Sequence, residues 1–325
     1  MRPIFIFGCD RSGTTFLGSL LGSHSRCATT LKSQFVYDNY KTAHTGEQFD
    51  LERAVAKIKA NFRFRLWNID LDVDAARRQG VDSYPKLVQF IVKTYADAVG
   101  RTDADTWVDH TPHNREHVVY LSRLFPDAKF VHIVRDGRAI TASFKTLPWR
   151  NHGVVKICRY WVEKVGQGLA TEAYLGPEKC LRIRYEDLIM NPEATLRELA
   201  PFLELDYEPG MLTGGGFGPP ALTVSQHALV GKPADPQRIN AWEKKLSSRE
   251  VEVFEASSGD MLACLGYPLK FGVYARGQTR TERYRDRLMD VFYHRRRDGF
   301  KERAQRKRTL KQLEAEGYLN KRPAN

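Results

Sequence analysis

The chain has 325 residues, with 51 Lys and Arg against 39 Asp and Glu, a formal net charge of +12, 42% hydrophobic and 28% charged residues. That balance excludes a wholly disordered chain and a collagen-like one, and the length suffices for one large α/β domain or two smaller ones. No apolar run approaches the roughly 18 residues that a membrane-spanning helix needs. The first apolar run, residues 3–7, reaches Gly8 too soon for a signal peptide, so a cytoplasmic protein without a membrane stem is expected. Cys9, Cys27, Cys158, Cys180 and Cys264 show no C-x-x-C spacing. They read as reduced thiols, not as a disulfide framework or a zinc site.

In chain order, residues 3–8 form a short continuous apolar run, which suits a strand buried on both faces of a parallel sheet. A glycine loop follows, then a helix over 14–21. Residues 84–99 carry Leu87, Phe90, Ile91, Tyr95 and Val99 at helical spacing. Residues 106–108 read as a strand, 116–125 as a helix, 129–134 as a second strongly apolar strand and 138–145 as its following helix. A strand at 180–184 and a helix near 192–203 continue the alternation, which argues for a parallel sheet flanked by helices. Residues 208–236 break it with Gly214-Gly215-Gly216 and Gly218-Pro219-Pro220; a long loop without periodicity reads as a lid. Helix resumes over 238–265 and stops at Gly266 and Pro268.

The run Gly8-Cys9-Asp10-Arg11-Ser12-Gly13-Thr14-Thr15 has the G-x-x-x-x-G spacing of a phosphate-binding loop between a strand and a helix. Glycines let the backbone approach an anion, and the free N–H groups at the helix start point at it. Nucleotide triphosphatases place Lys directly after the second Gly, whereas this sequence has Thr14, and its one cation in the loop is Arg11. Asp136 follows the second strand, but Arg135 and Arg138 flank it, so that turn reads as built for an anion and no metal is expected. Ser143 lies eight residues after Arg135, on the next helix. The planar fork of an arginine suits phosphate, and two anion sites at neighbouring strand ends imply a nucleotide with separated phosphate groups.

Those residues, with Arg184-Tyr185-Glu186-Asp187-Leu188, Asn191-Pro192, Trp242, Leu246-Ser247 and Leu265-Gly266-Tyr267, resemble the sulfotransferase superfamily over about residues 3–268. The resemblance implies sulfuryl transfer from 3′-phosphoadenosine 5′-phosphosulfate (PAPS) to an acceptor, expected to be a hydroxyl of a carbohydrate, glycolipid or small metabolite. It places the 5′-phosphosulfate on Arg11, Ser12, Gly13, Thr14 and Thr15, and the 3′-phosphate on Arg135 and Ser143. Tyr185 would lie near the nucleotide, and Lys232 with the glycine-rich loop would close over it. Arg11 occupies the place of the cation beside the transferred group. Where relatives carry an acidic base, this sequence has Lys32, so Lys32 and His110 are the catalytic candidates besides Arg11, with His113 and Asp109 behind them.

Residues 269–325 lie outside that resemblance and are expected to form a basic helical extension to an α/β domain spanning 1–268. Residues 270–325 hold 17 of the 51 basic residues and 7 of the 39 acidic ones, a net +10. Tyr284, Leu288, Val291 and Phe292 fall at helical spacing there. Such a segment suits an anionic membrane surface or another polyanion, and equally packing on the body or on a second subunit. Two other readings fit parts of the chain: a metal-dependent kinase, which lacks its expected Lys and carboxylate, and a nucleic-acid-binding module using the tail, which has few aromatic residues among its charges.

Overall fold

The computed structural model describes residues 1–45, 48–146, 153–218, 230–232 and 234–296, with 308 and 311. Five parallel strands form its central sheet: β1 (Arg2–Gly8), β2 (Cys27–Thr29), β3 (Thr106–Asp109), β4 (Lys129–Val134) and β5 (Cys180–Arg184), in the order β2-β3-β1-β4-β5. The chain leaves β1 toward one edge and later crosses to the other. Loop 8–15 therefore lies where the strand order reverses, the place at which open parallel sheets bind ligands.

The continuous apolar run in β1 is explained by burial on both faces. Phe5 and Phe7 join one hydrophobic cluster with Trp107 and Phe130, whereas Ile4 and Ile6 join a second with Val108, Val131 and Ile133. The first cluster is covered by α2 (Tyr84–Ala98) and the helical insert between residues 35 and 84. The second is covered by α1 (Thr14–Leu21) and by Tyr185–Met190 and Pro192–Phe202. A third unites α3 (Gly137–Lys145), α4 (Val154–Leu175) and α5 (Ser248–Cys264).

The strands expected at 129–134 and 180–184 appear with those bounds. The single helix expected over 238–265 is divided: a 3-10 turn at Pro236–Arg238, a short helix at Ala241–Lys245, and α5. Leu246 is extended, and Ser247 opens α5 with a reciprocal capping box to Glu250, a device worth about 1 kcal/mol. The helix expected over 116–125 begins as a 3-10 segment, Pro112–His117, before Val118–Leu124. Inside the long loop, Pro209–Thr213 forms a 3-10 turn, while 219–229 and 233 lie outside the described residues.

All five cysteines are free; four are buried and Cys264 is exposed. Burial pushes the thiols of Cys27 and Cys180 up to about 12 and that of Cys158 up to about 11. After residue 270 the chain stays fastened to α5. The backbone N–H groups of Lys270 and Phe271 donate to Glu255 (2.9 and 2.7 Å), and Arg276 pairs with Glu252 (2.7 Å). The helix α6 (Arg280–Arg296) follows.

Candidate active site

Loop 8–15 closes tightly on the sheet. A Cβ on Gly8 would run into the backbone carbonyl of Ile133. Gly13 stands at φ 105°, and a Cβ there would lie 2.5 Å from the Tyr185 ring. Arg11 takes a left-handed φ of 72°, a conformation that costs a non-glycine residue about 1–3 kcal/mol and persists only where its surroundings impose it. Helix α1 begins with no side-chain cap and no acid in its first turn. Its free N–H groups therefore face the loop. Ser12 is fully buried, and its hydroxyl has no hydrogen-bond partner among the described residues.

The two anion sites expected from the sequence meet. Arg11 Nε donates to Ser143 Oγ (3.2 Å), and Arg135 Nη1 donates to the carbonyl of Arg11 (2.9 Å). The Arg135 guanidinium lies 4.2 Å from the centre of the Tyr185 ring, and its buried Nε has no partner among the described residues. Tyr185 is itself buried, so it serves as a core aromatic and a wall of the site at once. Burial lowers the Arg11 pKa and neighbouring Arg135 lowers it further, against the opposing pull of Asp10 and Tyr185. Two cations crowded in this way are relieved by an anion between them.

The turn after β4 is propped from below. Asp136 caps α3 by accepting from the Arg138 N–H (2.8 Å) and pairs with the Arg138 side chain (2.7 Å), whose other arm meets Glu255 (2.6 Å). Glu186 accepts from the Asp136 N–H (3.1 Å) and from the Tyr267 hydroxyl (3.0 Å). Asp136 is thus committed to structure. Among the described residues, no group of three or more His, Cys, Asp or Glu is placed to hold a metal ion.

The two base candidates have different surroundings. His110 is buried under α1: its Nδ1 shares a 3.2 Å hydrogen bond with Thr15 Oγ1, and its ring meets Phe217 edge-on at 4.9 Å. Gly18 is bare because the His110 side chain sits 2.9 Å from where its Cβ would be. Lys32 is half-buried among Asp10, Arg63, Arg11 and Asp109. Burial is the chief cause that lowers its pKa; Arg63 and Arg11 add to it, and Asp10 and Asp109 oppose it. Asp109 is buried and accepts from the Ser33 hydroxyl and the Thr111 N–H (2.8 Å), which fastens the Lys32 segment to the end of β3. His113 feels the charge of Lys32, with its pKa lowered mainly by burial and its Nδ1 buried without a partner among the described residues. Gln34 Oε1 and the Tyr37 hydroxyl are likewise buried and unpartnered there.

Lys232 is exposed on the turn that carries Gly231, whose N–H donates to Gly214 (3.0 Å). The residue that does reach the site electrostatically is Arg238, whose charge lowers the pKa of both Arg11 and Tyr185. Sequence reading missed it, together with Arg63 and the Tyr160 hydroxyl that donates to Asp10. Arg238 follows Pro236 in a basic turn just past the glycine-rich loop, a signal that was present but unspecific.

Residues 3–209 match the family model described as "Sulfotransferase family". The chain belongs to the sulfotransferase family. This sulfotransferase is 26% identical over 288 residues to protein-tyrosine sulfotransferase 1 of Danio rerio, spanning 82% of this chain and 72% of that one. It is 23% identical over 317 residues to the nodulation protein NoeE of Sinorhizobium fredii, spanning 86% and 71% of the two chains. Among solved structures, the sulfotransferase domain of the Synechococcus PCC 7002 olefin synthase matches with a TM-score of 0.56 at 18% identity, over 82% of this chain and 96% of that one. The sulfotransferase domain from the curacin biosynthetic pathway matches at 0.54 and 18%, over 83% and 99%. Both likenesses concern the fold.

Proposed function

We propose that this sulfotransferase binds PAPS across the ends of β1 and β4 and passes its sulfuryl group to an acceptor hydroxyl. The observation that carries the reading is the joint between Arg11, Ser143, Arg135 and Tyr185, a cationic floor beside an uncapped helix start. Loop residues 11–15 would hold the 5′-phosphosulfate, and Arg135 with Ser143 the 3′-phosphate. The orphaned Ser12 hydroxyl and Arg135 Nε fit that assignment, because each is a buried donor awaiting an acceptor. When bound, PAPS supplies an activated sulfuryl group and a phosphate leaving group.

Arg11 meets the charge that develops as the sulfuryl–phosphate bond breaks, an interaction stronger in the transition state than before it. Lys32 takes the acceptor proton at Nζ, since its burial favours the neutral amine. His110 holds Thr15 and thereby the start of α1. We take residues 1–268 as the body that performs this reaction. The acceptor is read as a hydroxyl of a carbohydrate, glycolipid or small metabolite. A tyrosyl phenol is the second reading, favoured by the similarity to enzymes named protein-tyrosine sulfotransferases.

Calorimetric titration with adenosine 3′,5′-bisphosphate, against ATP with Mg²⁺, tests the donor site. Metal-independent binding of the bisphosphate with weak ATP binding is expected, and a preference for Mg-ATP would overturn the reading. Transfer of labelled sulfate from PAPS to tyrosine-containing peptides and to oligosaccharides then separates the two acceptor classes.

A further inference from the structure

We infer that the outward face of α6 and the turn before it form a docking surface for an anionic membrane. The charges of this helix are sorted by side. Glu282 is turned to the body, where both of its oxygens accept from Arg249 (2.9 Å each). Asp286 is turned the same way: it accepts from Gln278 Nε2 (2.6 Å) and lies where a Cβ on Gly153 would fall. Arg280, Arg283, Arg285 and Arg287 are all exposed. Asp286 also reaches Arg285 (3.7 Å), while Arg280, Arg283 and Arg287 form no ion pair among the described residues, so that face carries an excess of positive charge.

Apolar side chains stand among those arginines. Tyr284 and Leu288, one helical turn apart, are 66% and 53% exposed. In the 3-10 turn Gly272–Tyr274, Val273 and Tyr274 are 93% and 86% exposed, the most exposed of the large hydrophobic residues described. In sequence, Val291 and Phe292 continue the spacing of Tyr284 and Leu288, and Arg295-Arg296-Arg297 and Arg306-Lys307-Arg308 continue the charge. A helix with an apolar stripe flanked by arginines lies in the plane of a bilayer interface, with its apolar side among the acyl chains and its cations at anionic headgroups.

The same observations weigh against the other occupants. Nucleic acid rewards arginine and stacked rings but gains little from an exposed Leu288 or Val273. A second copy of this chain would bring another set of unneutralised arginines against the first. A bilayer bearing anionic lipid satisfies both components at once.

The test is co-sedimentation of the full chain with vesicles of phosphatidylcholine alone and of phosphatidylcholine with 30% phosphatidylserine. Binding to the anionic vesicles and not to the neutral ones is expected. Arg283→Glu with Arg287→Glu should weaken it at least about twenty-five-fold, some five-fold for each arginine. Tyr284→Ser with Leu288→Ser should weaken it about ten-fold or more while bisphosphate binding stays unchanged, which shows that the body remains folded.

Failure of the wild-type chain to bind anionic vesicles overturns the inference, as does binding indifferent to the serine pair. Tight binding to duplex DNA that the serine pair leaves intact, without vesicle binding, assigns the face to nucleic acid. A dimer in sedimentation velocity that both pairs abolish, again without vesicle binding, assigns it to a second copy.

Discussion

The proposed donor and acceptor sides of the site are built differently. On the donor side, neighbouring side chains fasten the two arginines: Arg11 by Ser143, the Arg11 carbonyl by Arg135, the Arg135 carbonyl by Trp161 (3.1 Å), while the buried Ser12 hydroxyl and Arg135 Nε have no partner among the described residues. On the acceptor side, Lys32 sits among charges supplied by separate segments, and Gln34, Tyr37 and His113 each carry a buried polar atom without a partner among the described residues. Buried donors and acceptors left unmade are costly, on the order of 1–3 kcal/mol each. Both sides keep unmade hydrogen bonds for a ligand to complete, but on the donor side the cations are already fixed by neighbouring side chains.

The sharpest way to break the comparison is Arg11→Ala. If the donor side stabilises developing charge through this side chain, PAPS-dependent turnover falls by about 10²–10³-fold or more with the far-ultraviolet circular dichroism unchanged. Turnover near that of the parent would remove Arg11 from the chemistry. Next comes Lys32→Ala, expected to lower kcat about 10²-fold and to flatten the rise of kcat with pH, since loss of a proton acceptor removes the ionisation that drives that rise. A pH profile of unaltered shape would move the base elsewhere, with His113 the nearest alternative.

Arg135→Ala tests the donor side by binding alone. Loss of a charged hydrogen-bonding partner should weaken adenosine 3′,5′-bisphosphate by about ten- to a hundred-fold in calorimetry. Unchanged affinity would dissolve the joint between the two anion sites.

The smallest expected effect is on stability. The Lys32 pKa is lower in the folded chain than in the unfolded one, so between the two values the unfolded chain binds the extra proton and stability rises with pH. Lys32→Met should therefore raise Tm at pH 7, and the gain should vanish as pH climbs past the ordinary lysine value. A gain that grew with pH would mean that the ammonium is favourably paired in the fold.

The same contrast explains what the sequence made readable. β1 and β4 stand out because both faces are buried, leaving unbroken apolar runs, and each is followed at once by its basic turn; Arg11, Arg135 and Ser143 are legible for that reason. The three-residue β2 is too short to show a pattern. The 22-residue α4 was missed although Ile157, Cys158, Trp161 and Val165 mark its inner face, and the break before α5 was written in Ser247 and Glu250 as a capping-box spacing. The acceptor side was legible only in part: Lys32 and His113 were candidates from the sequence, but Arg63 was not, because the three come from separate segments with no shared spacing and meet through folding of the insert.

The distribution of thiols has a practical consequence for labelling. Cys9, Cys27, Cys158 and Cys180 are shielded, and the pKa values of the last three are raised far above neutrality, so little reactive thiolate is exposed at pH 7. Cys264, at the end of α5, is the one cysteine open to solvent. A maleimide dye added to the unmodified chain should attach there alone, next to the crevice lined by Arg182, Arg184 and Gly266. The wild-type sequence thus comes with a single-site optical reporter beside the edge strand β5, and no engineered cysteine is needed to follow this body in solution.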